Sequence, residues 1–132
     1  MFQGVHVNYL RDTNALLYIF SAPSELSARA RRIVRGESSL YVSVASFWEI
    51  AIKQSIGKLR FNMTIPKLEF LCQERDIQIL GISSAALERI KDLPRIHGDP
   101  FDRYIVAQAQ TENLYIITCD RIIPQYPVRT IW

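Results

Sequence analysis

Short apolar runs rich in β-branched residues alternate with helix-period segments from one end of this chain to the other. Few architectures accept that order. It builds right-handed βαβ units on a mostly parallel sheet of four to five strands, with helices on both faces. The expected strands cover residues 5–10, 40–44, 77–82 and 115–119, with 128–132 as a last, edge strand. Residues 115–119 are almost wholly apolar, as a strand covered on both sides should be. Between these runs the apolar spacing predicts helices. One begins over 14–19, one starts at Ser24-Glu25-Leu26 and stops at Gly36, and one is capped by Ser46 and stops at Gly57. The inward stripe of that third helix is Phe47, Ile50, Ala51 and Ile56. Pro66 opens another, and two more cover 84–93 and 100–112. With 132 residues and no repeat, low-complexity tract or linker, the chain is expected to form one α/β domain over 1–132.

The longest uninterrupted apolar run, residues 15–20, is far short of the roughly 20 residues that cross a bilayer, so no membrane role is expected. The start lacks a basic segment followed by an apolar one, so no secretion signal is expected. Cys72 and Cys119 are too far apart in sequence to form a metal-spaced pair, and Cys119 is expected to act as a small hydrophobe inside a buried strand. A reducing cytoplasm is the simplest compartment. The net charge of +3 is unevenly spread: between Leu26 and Arg60, Arg29, Arg31, Arg32, Arg35, Lys53, Lys58 and Arg60 face only Glu37 and Glu49. Such a run is either a solvated helix face or a surface for a polyanion.

Four carboxylates fall where a parallel sheet would gather them. Asp12 and Asp120 follow apolar strands directly, while Glu49 and Asp102 lie in the first turns of expected helices. In open α/β sheets, ligands bind outside the carboxyl ends of the strands. Acids collected there repel one another unless a cation neutralises them, which points to a hard divalent metal. Each acid also has a plainer reading. Ser46-Phe47-Trp48-Glu49 matches a capping box. Asp99-Pro100-Phe101-Asp102 matches an N-cap, a proline at the first helical position and an acid facing the helix dipole. Asp12 could cap the first helix, and Asp120 could open a turn with Arg121. Asp99 is read as a cap that helps orient the site. His6 and His97 have no ligand spacing between them; His6 reads as a structural strand residue, His97 as a loop residue able to touch a substrate. Phe47 and Trp48 read as core. No glycine-rich phosphate loop and no Ser-His-Asp or Cys-His constellation is present.

Taken together, the motifs resemble those of PIN-domain proteins. Asp12-Thr13-Asn14-Ala15-Leu16 is similar to the family's opening, and Ser46-Phe47-Trp48-Glu49-Ile50-Ala51-Ile52-Lys53 with Gly57-Lys58-Leu59 resembles the second motif of a bacterial VapC-like subgroup. His97-Gly98-Asp99-Pro100-Phe101-Asp102-Arg103, running into Ile105-Val106-Ala107-Gln108-Ala109, resembles the third motif, and Thr118-Cys119-Asp120 the family's Thr-x-Asp. The resemblance spans nearly the whole chain, with the motifs in the family's order. It implies a PIN fold and a Mg²⁺- or Mn²⁺-dependent nuclease acting on RNA. It also implies a toxin held by a partner antitoxin, with a homodimer as the assembly. The family's metal-binding, catalytic acids carry over to Asp12, Glu49, Asp102 and Asp120. Thr13 and Thr118 are candidates for supporting hydroxyls. Lys53, Arg103 and Arg121 are candidates to position a phosphate or to pair with the acids. Two departures stand out: a slightly longer start over residues 1–7, and Arg11, where related sequences usually have an apolar residue and which is expected to tune solvent access. Two other classes compete. One is a catalytically silent interaction module using Phe61, Met63, Ile65, Leu68 and Phe70. The other is a receiver- or phosphatase-like protein with Asp12 as phospho-acceptor.

Overall fold

Strands in this chain end where a small polar side chain captures the first free amides of the next helix. Asp12 closes β1 (Asn8–Arg11) and accepts the Ala15 amide at 2.8 Å, starting α1 (Thr13–Ser21). β2 (Ser39–Ser43) passes without a loop into α3 (Val44–Ser55), because the Ser43 hydroxyl accepts the Ala45 amide at 3.0 Å. Asp99 accepts the amides of Phe101 and Asp102 and, with Pro100 next to it, opens α6 (Pro100–Glu112). The helix stops at Asn113, which adopts the left-handed conformation at φ 58°. Both bounds of α6 match those expected from its sequence.

The computed structural model describes residues 7–36 and 39–132. The expected strand positions Val5 and His6, with the rest of the start up to residue 6, lie outside the described residues. The remaining elements are α2 (Ala28–Arg35), α4 (Ile65–Glu74), β3 (Ile77–Leu80), α5 (Ser84–Ile90), β4 (Tyr115–Ile117) and β5 (Thr130–Ile131). Five strands form one wholly parallel sheet in the order β3-β2-β1-β4-β5. Leu10 lies beside Tyr41 and Ile116, and Arg11 beside Val42 and Ile117. The chain moves outward from β1 through β2 to β3, then returns through α5 and α6 to place β4 on the other side of β1. That reversal opens a crevice between the carboxyl ends of β1 and β4.

Both faces of the sheet are covered. Leu40, Val42 and Ile117 pack with Leu16, Ile19, Ala30, Phe47, Ile50, Leu68 and Cys72 from α1 to α4 on one side. Leu10 and Ile116 pack with Ala86, Tyr104, Ile105 and Ala109 from α5 and α6 on the other. Neighbouring strand residues therefore enter opposite cores, which is why these strands read as continuous apolar runs.

Several local expectations are corrected. The second helix begins after Ser27, whose hydroxyl accepts the Ala30 amide at 3.0 Å; Pro23–Glu25 form a separate 3-10 turn. Ser46 is not a cap, since Ser43 starts α3 three residues earlier. Ile56 and Trp48 are each 58% exposed and belong to no core. Cys119 is exposed because β4 has already ended at Ile117. Of the residues proposed for a protein contact, Phe61 and Leu68 are buried inside the first core.

Candidate metal centre

The crevice at the switch point receives acids from four different elements. Asp12 ends β1, and Asp120 follows β4 by three residues. Glu49 comes from α3 and Asp102 from the first turn of α6. Asp102 feels the charges of Asp99, Glu49, Asp12 and Asp120, and Asp12 feels those of Asp120 and Glu49. The four residues named from sequence thus share one electrostatic neighbourhood.

Hydroxyls tie the set together. Thr118 donates to Asp12 Oδ2 and accepts the Asp120 amide at 3.0 Å, so one side chain fixes both strand-end acids. Thr13 bridges Glu49 Oε1 at 2.6 Å and the buried Ser46 hydroxyl at 3.0 Å. The Lys53 ammonium donates to Glu49 Oε2 at 2.7 Å and also lies in the field of Asp99 and Asp102. This contact is the ion pairing that stood as one of the two readings of Lys53. Arg103 is committed to structure: its guanidinium donates to the carbonyls of Pro94 and Ile90 and to Tyr126 Oη. Arg121 is exposed.

The plain structural readings of Asp12, Asp99 and Asp120 hold as well. Asp12 caps α1, Asp99 caps α6, and Asp120 Oδ1 accepts the Ile122 amide at 2.6 Å in a turn. The capping-box reading of Glu49 fails. With α3 beginning at Val44, Glu49 lies in its second turn, buried, and cannot reach back to a Ser46 cap. The motif Ser-x-x-Glu fits a start at Ser46, whereas a start at Ser43 places Ser46, not Glu49, at the third helical position. Burial of Ser46 and Glu49 against Thr13 selects the earlier one.

Sequence reasoning did not include His97 in the constellation. Its Nε2 lies 3.0 Å from Asp102 Oδ2 and 3.8 Å from Asp120 Oδ2. Ligand atoms of His97, Asp102 and Asp120 all fall within 4.8 Å of one another. The signal was its position two residues before the Asp99 cap, inside the third motif.

Burial raises the Asp12 carboxyl to about 6, against the pull of its bonds from Thr118 and Ala15, and Asp120 and Glu49 push it further up. Burial, then Asp99, Glu49, Asp12 and Asp120, raise Asp102 to about 7. Hard carboxylate oxygens held together at this cost suit a hard divalent cation in chemistry and in charge. Both folded values exceed the unfolded value of 3.8, so the folded protein keeps these protons longer. Their contribution to stability is complete below pH 4 and is lost as pH rises through 6 and 7. A divalent ion held among these acids would replace the lost protons. Differential scanning fluorimetry of chelator-treated protein should therefore show Mn²⁺ raising Tm more at pH 7.5 than at pH 5. The gain at pH 7.5 is about 2–3 kcal/mol for an ion at a hundred times its Kd. An equal gain at both pH values would contradict the shared-acid assignment.

Comparison with known proteins is consistent with this geometry. The PIN domain family model matches residues 9–128. VapBC2 from Rickettsia felis bound to a promoter DNA fragment is similar in fold at 15% identity and a TM-score of 0.70, over 95% of this chain and 98% of that one. A toxin-antitoxin complex from Klebsiella pneumoniae gives 20% identity and a TM-score of 0.63, over 94% of this chain and 96% of the other. VapBC-1 from nontypeable Haemophilus influenzae gives 18% and 0.63, over 95% and 97%. No curated protein sequence matches significantly.

Proposed function

We propose, from the premise that this chain belongs to the PIN domain family, that it is a divalent-metal-dependent endoribonuclease and the toxin of a toxin–antitoxin pair working in the cytoplasm. The observation that carries this reading is the convergence of Asp12, Glu49, Asp102 and Asp120 at the switch point, where burial and their mutual repulsion raise the pKa of Asp12 and Asp102. Fold neighbours that are toxin–antitoxin complexes support the partner.

In this reading Asp12 and Asp120 hold Mg²⁺ or Mn²⁺ from the rigid strand ends, and Glu49 and Asp102 complete the donor set. The ion supplies acidification of water and neutralises charge developing on the phosphate oxygens. Thr118 keeps the two strand-end acids in register, while Thr13 and Lys53 fix both oxygens of Glu49. Asp99 orients Asp102 by capping the helix that carries it. The polyanion meets α2, where Arg29, Arg31, Arg32 and Arg35 have no acidic partner among the described residues. Arg121, exposed beside Asp120, is left to contact phosphate. Incubation of the purified chain with total RNA, with and without EDTA, tests the activity; RNA that survives in the presence of Mg²⁺ and of Mn²⁺ would end the proposal.

A phospho-acceptor role for Asp12 has no separate observation behind it, because its 3% exposure and its bonds to Ala15 and Thr118 bear equally on metal binding. Self-association has firmer support. Trp48, Ile82 and Leu87 are exposed and line an apolar cleft with Ile90, Pro100, Phe101 and Tyr104, and the exposed Ile52 follows Trp48 by four residues on α3. Trp48 meets the Phe101 ring edge-on at 5.2 Å. This face suits a second copy of the chain better than the residues first expected, of which only Phe70 is strongly exposed. Trp48→Asp should weaken dimerisation by about 2 kcal/mol or more, read as a shift toward monomer in light scattering after size exclusion. An unchanged mass at low micromolar concentration would place the interface elsewhere.

A further inference from the structure

The functional reading leaves one nitrogen group at the acid cluster without a role. His97 lies between α5 and α6, and three contacts fix it. Its backbone amide donates to Tyr126 Oη at 2.7 Å. Its Nδ1 accepts the Asp99 amide at 3.2 Å. Its Nε2 faces Asp102 Oδ2 at 3.0 Å and Asp120 Oδ2 at 3.8 Å. A ring nitrogen that accepts an amide hydrogen carries none of its own, so the proton of the neutral imidazole sits on Nε2. That nitrogen then has no lone pair to offer a cation, but it has a hydrogen to give a carboxylate.

We propose that His97 is a positioning residue, not a metal ligand: with its tautomer set by the Asp99 amide, it donates from Nε2 to Asp102 Oδ2 and so aims Oδ1 at the cation. Outer partners of this kind orient ligating carboxylates and commonly govern metal affinity. Asp99 thereby serves Asp102 twice, through its carboxylate at the helix cap and through its amide on the imidazole. The inference rests on the reading that the acid cluster binds a divalent ion, and it adds a residue outside the four acids.

Mn²⁺ is the probe, applied to the full chain, with Kd from isothermal titration and ¹⁴N couplings of the bound ion from electron spin-echo modulation. The native chain should bind Mn²⁺ without coupling to a coordinated imidazole. His97→Gln, which keeps an amide donor within reach, should hold Kd within about threefold, whereas His97→Leu should weaken it by roughly 10–100-fold. Melting temperatures in EDTA establish that both variants are folded. A coordinated-imidazole coupling in the native chain that vanishes in both variants would make His97 a ligand and overturn the inference alone, as would an unchanged Kd for His97→Leu. Absence of Mn²⁺ binding at millimolar concentration would remove the metal reading and this inference with it.

Discussion

Asp12→Asn is expected to lower metal-dependent RNA cleavage by at least about a hundredfold while leaving the fold intact. Even groups that only orient a ligand cost 10–100-fold when removed, and Asp12 is proposed as a ligand itself. The substitution is nearly isosteric. Asn Oδ1 can still accept the Ala15 amide and keep α1 capped, and its amide can donate to the Thr118 hydroxyl in place of the bond now running the other way. It also removes a buried charge whose carboxyl is already pushed up to about 6. Without metal at pH 7.5 the variant should therefore melt no lower than the native chain, and it should lose most of the Mn²⁺-induced rise in Tm. Cleavage assays and melting curves on one preparation separate the effects. Native-rate cleavage by a folded Asp12→Asn protein would remove the acid cluster from the chemistry.

Arg11→Leu should stabilise the protein by about 2–4 kcal/mol, or roughly 8–15 °C in Tm. Arg11 was expected to tune solvent access, but it is 0% exposed. Strand alternation turns it away from Leu10 and the α6 core, into the layer that holds Cys72 and Arg75. None of its three guanidinium nitrogens has a hydrogen-bond partner among the described residues. Burial lowers its pKa to about 10; the Cys72 thiol opposes that shift and Arg75 adds to it. A buried cation without a partner costs several kcal/mol, and an apolar residue of comparable volume removes that penalty. Urea unfolding at pH 7.5 checks this: the midpoint should rise at constant m-value. A midpoint that stays or falls would mean that the guanidinium is satisfied in solution.

Where local chemistry and tertiary packing agree, the elements were legible. Asp99-Pro100 opens α6 in the sequence as in the structure, and the expected end at Glu112 is the observed one. The strand-end positions of Asp12 and Asp120 followed from apolar runs that stop at an acid. Where two local solutions compete, nearest-neighbour signals can favour the wrong one: Ser46-x-x-Glu49 matches a capping box that does not form. Ser43 and Ser46 can each cap a helix, and only the contact of Ser46 and Glu49 with Thr13, more than thirty residues away, selects Ser43. Periodicity showed that α3 has an apolar face but not whether anything covers it, so Trp48 and Ile56 were assigned to a core they never reach. Likewise His97 read as an ordinary loop residue, because its tie to Asp102 depends on the turn of the backbone at Asp99.

The amino-acid order by itself determined the alternation of strand and helix and the parallel sheet, and it set Asp12 and Asp120 after strands and Asp102 in the first turn of a helix, because each of these is written in nearest-neighbour terms: period, cap and strand end. The tertiary structure alone decided that the four acids share a field, that a histidine stands among them, and that an arginine is sealed in the core. Those outcomes depend on distances between segments far apart in the chain, and Coulombic coupling and desolvation act through such distances, not through sequence spacing.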